Sequence, residues 1–135
     1  MTNEELIKLA LEARENSYSP YSKYKVGAAL LTKEGKVYKG CNIENASFGA
    51  TNCAERTAFF KAVSEGEKSF SKIAIVGGAG KQPDDYAWPC GICRQVMMEF
   101  CNPKTFEIIT AIDEKTYVSE TLENMLVHGF GPENL

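Results

Sequence analysis

A chain of 135 residues, 44% hydrophobic and 24% charged, is long enough for one domain with a core and too short for two, and it is not the composition of a disordered polymer. Its formal charge of −3 argues against a surface built to follow a phosphate backbone. No apolar run reaches the ~18 residues needed to cross a bilayer, and the opening Met1-Thr2-Asn3-Glu4-Glu5 is acidic where an export signal is basic. A single domain over 1–135 in the cytoplasm, with neither membrane nor nucleic acid as partner, is therefore expected. The five cysteines, Cys41, Cys53, Cys90, Cys93 and Cys101, are an odd count that suits reduced thiols better than a disulfide framework.

Residues 2–16 read as a helix: Thr2 and Glu5 are spaced as a capping pair, and Leu6, Leu9, Ala10 and Ala13 recur on one face. Ser19-Pro20 ends it. Val26–Thr32 and Lys36–Ile43 read as a hairpin turned at Lys33-Glu34-Gly35, and the second strand runs into the polar Asn42-Ile43-Glu44-Asn45. A second helix opens at Asn52 or Cys53 and runs to about Glu65, with Gly66 closing it. Its apolar residues cover more than half of its circumference.

The unbroken run Ile73–Val76 suits a central strand. Gly77–Trp88 is a loop, and Pro89 can occupy the first position of a helix ending near Cys101. This helix too spreads its apolar residues widely. Phe106–Ile112 is a fourth strand and Tyr117-Val118 a possible fifth. Ser119 is expected to cap a last short helix through Leu126, before a tail that carries His128 and Phe130. A hairpin followed by strand–helix alternation implies an α/β fold with helices on both faces of a mixed sheet.

Chemistry concentrates in Cys53-Ala54-Glu55-Arg56 and Pro89-Cys90-Gly91-Ile92-Cys93. Cys53 and Cys90 each open a helix, where the helix dipole favours thiolate, and Cys93 lies one turn after Cys90. Three thiolates suit one Zn(II) per chain and leave its fourth position open, as in catalytic sites. A closed structural site would need Cys41, Cys101 or His128 as the fourth ligand. A redox Cys-x-x-Cys pair would leave Cys53 and Glu55 unexplained. Glu55 is either a capping partner of Asn52 or the carboxylate that takes and delivers protons. Arg56 and Arg94 each follow a cysteine directly, and either could offset the net −1 of zinc with three thiolates by donating to sulfur. The bland reading of Arg56 is a solvated helix charge.

A cysteine two residues before a glutamate, followed by Pro-Cys-x-x-Cys, is the general signature of zinc nucleobase deaminases. With Pro20-Tyr21-Ser22-Lys23-Tyr24-Lys25-Val26-Gly27-Ala28-Ala29, Gly40-Cys41-Asn42-Ile43-Glu44-Asn45-Ala46 and Arg94-Gln95-Val96 in the same order, nearly the whole chain resembles the short, homotetrameric cytidine deaminases. That resemblance implies a three-layer α-β-α fold with a mixed five-stranded sheet. It implies zinc on Cys53, Cys90 and Cys93, proton transfer by Glu55, and hydrolysis of cytidine and deoxycytidine to their uracil counterparts and ammonia in pyrimidine salvage. It also implies ribose contacts from Asn42 and Glu44, a base pocket lined by Tyr24 and the Ala54 backbone, and Phe130 near a neighbouring subunit's site in a homotetramer. Three positions depart from the family pattern: Tyr24 stands where Phe is usual, Trp88 where a small hydroxyl residue is usual, and the Gly77–Trp88 loop is longer. A deaminase of another aminopyrimidine, such as a nucleoside antibiotic, and a non-catalytic zinc module are the alternatives.

Overall fold

The computed structural model describes all residues, 1–135. Helix α1 (Asn3–Arg14) begins with the expected reciprocal cap. The Glu5 amide donates to Thr2 Oγ1 at 3.1 Å, and the Thr2 amide donates to the Glu5 carboxylate at 3.0 Å. It ends at Arg14, two residues short of the expected end at residue 16. The Asn16 and Ser17 amides turn back onto Ala13 and Arg14, and Tyr18 then pairs with Ile43.

Strands β1 (Lys25–Thr32) and β2 (Val37–Cys41) form the hairpin, with Gly35 at φ +98° supplying the left-handed residue of its turn. Helix α2 (Ala54–Ser64) follows and closes at Gly66, also at φ +98°. Strand β3 (Phe70–Gly78) is longer than its apolar run. Gly77 and Gly78 continue to pair with Val26 and Lys25, and Phe70 pairs with Thr32. After a loop come α3 (Gly91–Phe100), β4 (Glu107–Ala111), β5 (Tyr117–Thr121) and α4 (Leu122–Met125). Pro89 precedes the Cys90 cap instead of occupying the first helical turn. Thr121, not Ser119, caps the last helix, because Ser119 is still paired with Ile109 in the sheet. Short 3₁₀ turns at Phe48–Ala50 and Pro132–Asn134 had no sequence signal.

The sheet order is β2-β1-β3-β4-β5, with only β3 and β4 parallel. This is the mixed five-stranded sheet of the expected three-layer fold. Side chains alternate across it. Ala74, Val76, Ala29 and Leu31 meet Leu6, Ile7 and Ala10 of α1 on one face. Ile73, Ile75, Ala28 and Leu30 meet Phe59, Ala58, Met97 and Phe106 on the other. Buried on both faces, β3 reads as the continuous apolar run found in the sequence.

Topology places the two cysteine motifs together. Helix α2 leads through Gly66 into the start of β3, so its N-terminus lies back at the far end of that strand. Helix α3 begins just beyond the same end. Both helix N-termini therefore sit past the carboxyl end of β3, where open α/β sheets carry their sites.

The approach of α2 to the sheet depends on Gly40. A Cβ there would lie 2.5 Å from the Ala54 carbonyl oxygen and 2.6 Å from the Ala58 nitrogen. Gly40→Ala is expected to destabilise the fold by at least about 1–3 kcal/mol, the usual cost of overpacking. Gly49→Ala, with nothing within 4 Å of the new carbon, should stay within about 0.5 kcal/mol of wild type. Denaturant unfolding of both variants checks this, and equal midpoints would mean that Gly40 is not a packing constraint.

Candidate active site

Cys53 and Cys90 are the N-cap residues of α2 and α3, with extended backbone (φ/ψ −74°/156° and −68°/168°). Neither side chain caps its helix. The sulfurs turn toward each other instead, 3.7 Å apart, and the buried Cys93 from the first turn of α3 brings all three Sγ atoms within 4.8 Å of one another. With Zn–S bonds of about 2.3 Å, tetrahedral sulfurs lie roughly 3.8 Å apart, so this donor set fits zinc. Cys41, Cys101 and His128 do not join the cluster, so three protein ligands come together and not four. Hydrogen bonding from Cys93 first, then from Arg56 and Cys90, brings the Cys53 thiol down to about 5 against the opposing effect of burial. Cys93 moves up, through its bond to Cys53 first and then its own burial.

Glu55 is not a capping residue. Asn52 Nδ2 donates to Thr57 Oγ1 at 3.2 Å, and the Glu55 side chain, 4% exposed, turns inward beside the sulfurs. Burial first, with the Cys53 charge adding to it, pushes the Glu55 carboxyl up to about 7, although its own backbone amide and Arg56 oppose the shift. A carboxyl poised near neutrality can both accept and deliver a proton. Of the two arginines expected near sulfur, only Arg56 reaches it, donating from Nη2 to Cys53 Sγ at 3.2 Å. Arg94 is a correction: Nε donates to the Pro89 carbonyl at 2.7 Å and Nη1 to the Met125 carbonyl at 2.6 Å. It braces the segment before Cys90 and does not touch the thiolates.

Above Glu55 lies a cavity of about 220 Å³, lined by Tyr24, Val26, Cys53, Ala54, Ile75, Tyr86, Ala87, Trp88 and Cys90. Its wall is almost wholly apolar, and Glu55 is the one carboxylate in it. Burial first, then the charges of Asp84 and Asp85, hold the Tyr24 phenol above its usual range. A larger open depression of about 400 Å³ is lined by Tyr21, Ser22, Glu44, Phe48 and Thr51. It holds none of the sulfurs, so the chemistry belongs to the smaller cavity.

Of the two residues expected at the ribose, Glu44 lines the open depression and Asn42 lines neither space, although Asn42 bonds to Tyr24 and Val26 of the smaller cavity's wall. The Asn42 amide is buried: Oδ1 accepts from the Val26 amide at 2.9 Å and from the Ser17 hydroxyl, and Nδ2 donates to the Tyr24 carbonyl at 2.8 Å. One amide N–H is left over. The Glu44 carboxylate accepts from the Ser22 hydroxyl and from the Tyr21 and Ser22 amides at 2.9 and 3.1 Å. These bonds, the Ser22 hydroxyl first, hold its carboxyl below the usual range. Phe130 is 58% exposed and is tethered by its carbonyl to Gln95 Nε2 at 2.7 Å, outside the cavity of its own chain. The sequence reading missed Val26, Ile75, Tyr86 and Ala87. Ile75 was legible as strand core, whereas the loop residues carried no periodicity that marked them as wall.

The family model described as "Cytidine and deoxycytidylate deaminase zinc-binding region" matches residues 1–109. The chain belongs to this family. A cytidine deaminase of Sporosarcina psychrophila is 48% identical over 136 residues, spanning 100% of this chain and 96% of the relative. A cytidine deaminase of Halalkalibacterium halodurans is 56% identical over 105 residues, 78% of this chain and 76% of the relative. The crystal structure of a cytidine deaminase from Burkholderia pseudomallei superposes with a TM-score of 0.87 at 45% identity, covering 96% of this chain and 100% of that one. A zinc-binding region and a fitting sulfur cluster together give one zinc per chain.

Metal analysis of purified protein is expected to give one zinc per chain, lost in Cys93→Ala. Retention of full activity without zinc would overturn the site. Arg56→Gln removes the one cation on the sulfurs. It should lower kcat by roughly tenfold or more while the unfolding midpoint moves little, because charge-assisted bonds near a metal act on its ligands. Parallel losses of activity and stability would make Arg56 a structural residue.

Proposed function

We propose that this chain catalyses hydrolytic deamination of cytidine, and of deoxycytidine, to uridine, deoxyuridine and ammonia, a step of pyrimidine salvage. The observation that carries the reading is the buried Glu55 carboxylate, between a cluster of three zinc-fitting sulfurs and an apolar cavity of about 220 Å³, in a chain of the deaminase family. Zinc held by Cys53, Cys90 and Cys93 supplies Lewis acidity and a water acidic enough to be a nucleophile at neutral pH.

The chain's own groups do the rest. Glu55 takes a proton from the attacking water and gives it to the ring nitrogen beside the amino-bearing carbon. The water oxygen bonds to that carbon. Glu55 then carries the second proton to the amino group, the carbon–nitrogen bond breaks, and ammonia leaves with a carbonyl formed behind it. Arg56 offsets the negative charge of the sulfur cluster. Tyr24 and the apolar wall hold the flat base and exclude water, and the Ala54 backbone at the start of α2 contacts it. Asn42 offers its remaining N–H and Glu44 its carboxylate to the ribose hydroxyls.

A non-catalytic zinc module is the weaker reading. A binding module gains nothing from a buried carboxyl that caps no helix, and burying one is costly. A cytoplasmic homotetramer built on perpendicular two-fold axes fits the outer faces of the helices. Phe60 on α2 is 47% exposed and Ile92 on α3 is 62% exposed, and the Phe130 ring is exposed outside its own chain's cavity, as a contact with a neighbouring subunit would need. Sedimentation of a monomer at micromolar concentration would refute the assembly.

The direct test is ammonia release and ultraviolet change with cytidine. Glu55→Ala should keep its zinc and lose turnover by roughly 10²–10⁴-fold, the usual worth of general acid–base catalysis. Near-normal turnover would remove Glu55 from the chemistry. Glu44→Gln should lower kcat/KM for cytidine by about tenfold and leave free cytosine almost unchanged, since only the nucleoside offers hydroxyls to a carboxylate. Cytidine monophosphate should be a poor substrate of the wild type, because Glu44 repels its charge. Equal losses on cytidine and cytosine would overturn the ribose assignment.

A further inference from the structure

We infer that Arg14 is the positioning residue for the wall of the base pocket. From the last turn of α1 its guanidinium grips the turn beyond β3 and the start of β1, and these two segments carry the pocket's aromatic residues.

Arg14 is 2% exposed and has no carboxylate partner, the ion pairs of the structure being Lys36–Glu67 and Lys39–Glu12. All its bonds go to main-chain carbonyls. Nε donates to Lys25 at 3.0 Å, Nη1 to Lys81 at 2.8 Å, and Nη2 to Gly78 at 2.6 Å and Gly80 at 2.5 Å. Burying a charge is a poor way to gain stability alone, and an apolar residue of similar size would often serve better. What the cation achieves is geometric. A planar fork fixes several acceptors at once, which no apolar side chain can do.

Those acceptors flank the pocket. Lys25 is the residue after Tyr24, whose own carbonyl is held by Asn42. Beyond Gly78 the loop folds back, and Asp85 bridges to Gly77. A Cβ on Gly77 would meet Ala87 Cβ at 2.8 Å and Tyr24 Cε1 at 3.1 Å, so both wall residues rest on that glycine. Tyr86 and Trp88 follow with ring centroids 6.3 Å apart. The loop between β3 and Trp88 carries no helix or strand of its own, so the Arg14 bonds and the Gly77–Asp85 bridge are what tie it to the sheet end. Gly27 lets α1 come close enough for the grip, since a Cβ there would lie 2.5 Å from the Arg14 nitrogen.

The inference rests on reading this cavity as the base pocket, but one readout does not depend on that reading. Trp88 is the only tryptophan in the chain, and it lies in the wall. Zinc-loaded Arg14→Lys, which replaces the fork by a point charge, and Arg14→Ala are compared with wild type. Both are expected to keep one zinc per chain. Acrylamide should quench Trp88 about twofold more, and KM for cytidine should rise about tenfold with kcat within about threefold, the split expected when placement of the substrate is lost and the reacting groups remain. Unchanged quenching would overturn the clamp. Raised quenching with unchanged KM would overturn its role toward the substrate. Failure of Arg14→Lys to fold, or equal losses in kcat and stability, would assign Arg14 to global stability and overturn the proposal. If wild-type protein turns over no cytidine, the functional reading falls while quenching still decides the clamp.

Discussion

Everything at the site depends on two helices that begin with uncapped cysteines at the same end of one strand. An N-cap residue normally turns its side chain inward to accept from the first amides of its helix. Cys53 and Cys90 leave those amides alone and turn their sulfurs to each other. The helix dipoles then point at the cluster, where partial positive charge favours thiolate. The sheet enforces the meeting. With β3 parallel to β4 and α2 running back along β3, both N-termini must emerge beyond the carboxyl end of β3. Gly40 lets α2 lie directly on β2, so the approach is fixed by backbone contact and not by adaptable side chains.

Charge follows from that geometry. Three thiolates overcompensate a divalent ion, and a single guanidinium bond to Cys53 addresses the excess. Glu55 stands next to the same cluster and stays out of solvent, so its carboxyl is held near neutrality by burial and by a neighbouring negative charge. The two residues between Ala54 and Thr57 on the first turn of α2 thus have opposite tasks. Arg56 faces the ligands and Glu55 faces the cavity.

The metal-binding residues were legible because metal chemistry demands particular residue types at particular spacings, and four motifs in order made the family readable. The sheet was legible because β3 is buried on both faces and the hairpin carries its turn glycine. Arg56 and Arg94 could not be told apart, since each follows a cysteine and only the helical direction of α3 sends Arg94 away to Pro89 and Met125. Ser119 read as a cap because a hydroxyl residue before a short apolar helix suits that role, but sheet pairing with Ile109 outcompetes it and moves the cap to Thr121. The Arg14 grip left no trace at all. Its partners are peptide carbonyls, which every residue possesses, so no sequence pattern can announce them.

The residues proposed to meet the ribose are held before any substrate arrives. Asn42 spends its carbonyl oxygen on Val26 and Ser17 and one N–H on the Tyr24 carbonyl, so its amide cannot flip or turn away. Glu44 is fixed by three donors from Tyr21 and Ser22. Both sets of bonds end on residues 17–26, the segment that also presents Tyr24 to the cavity. In the proposed reading, sugar contacts and base contacts therefore share one rigid frame, and a nucleoside meets groups whose ordering cost has already been met in folding. A base without its sugar forfeits this arrangement although the groups that act on the ring are unchanged. On that proposal the sugar, remote from the reacting carbon, governs how often the ring is placed correctly.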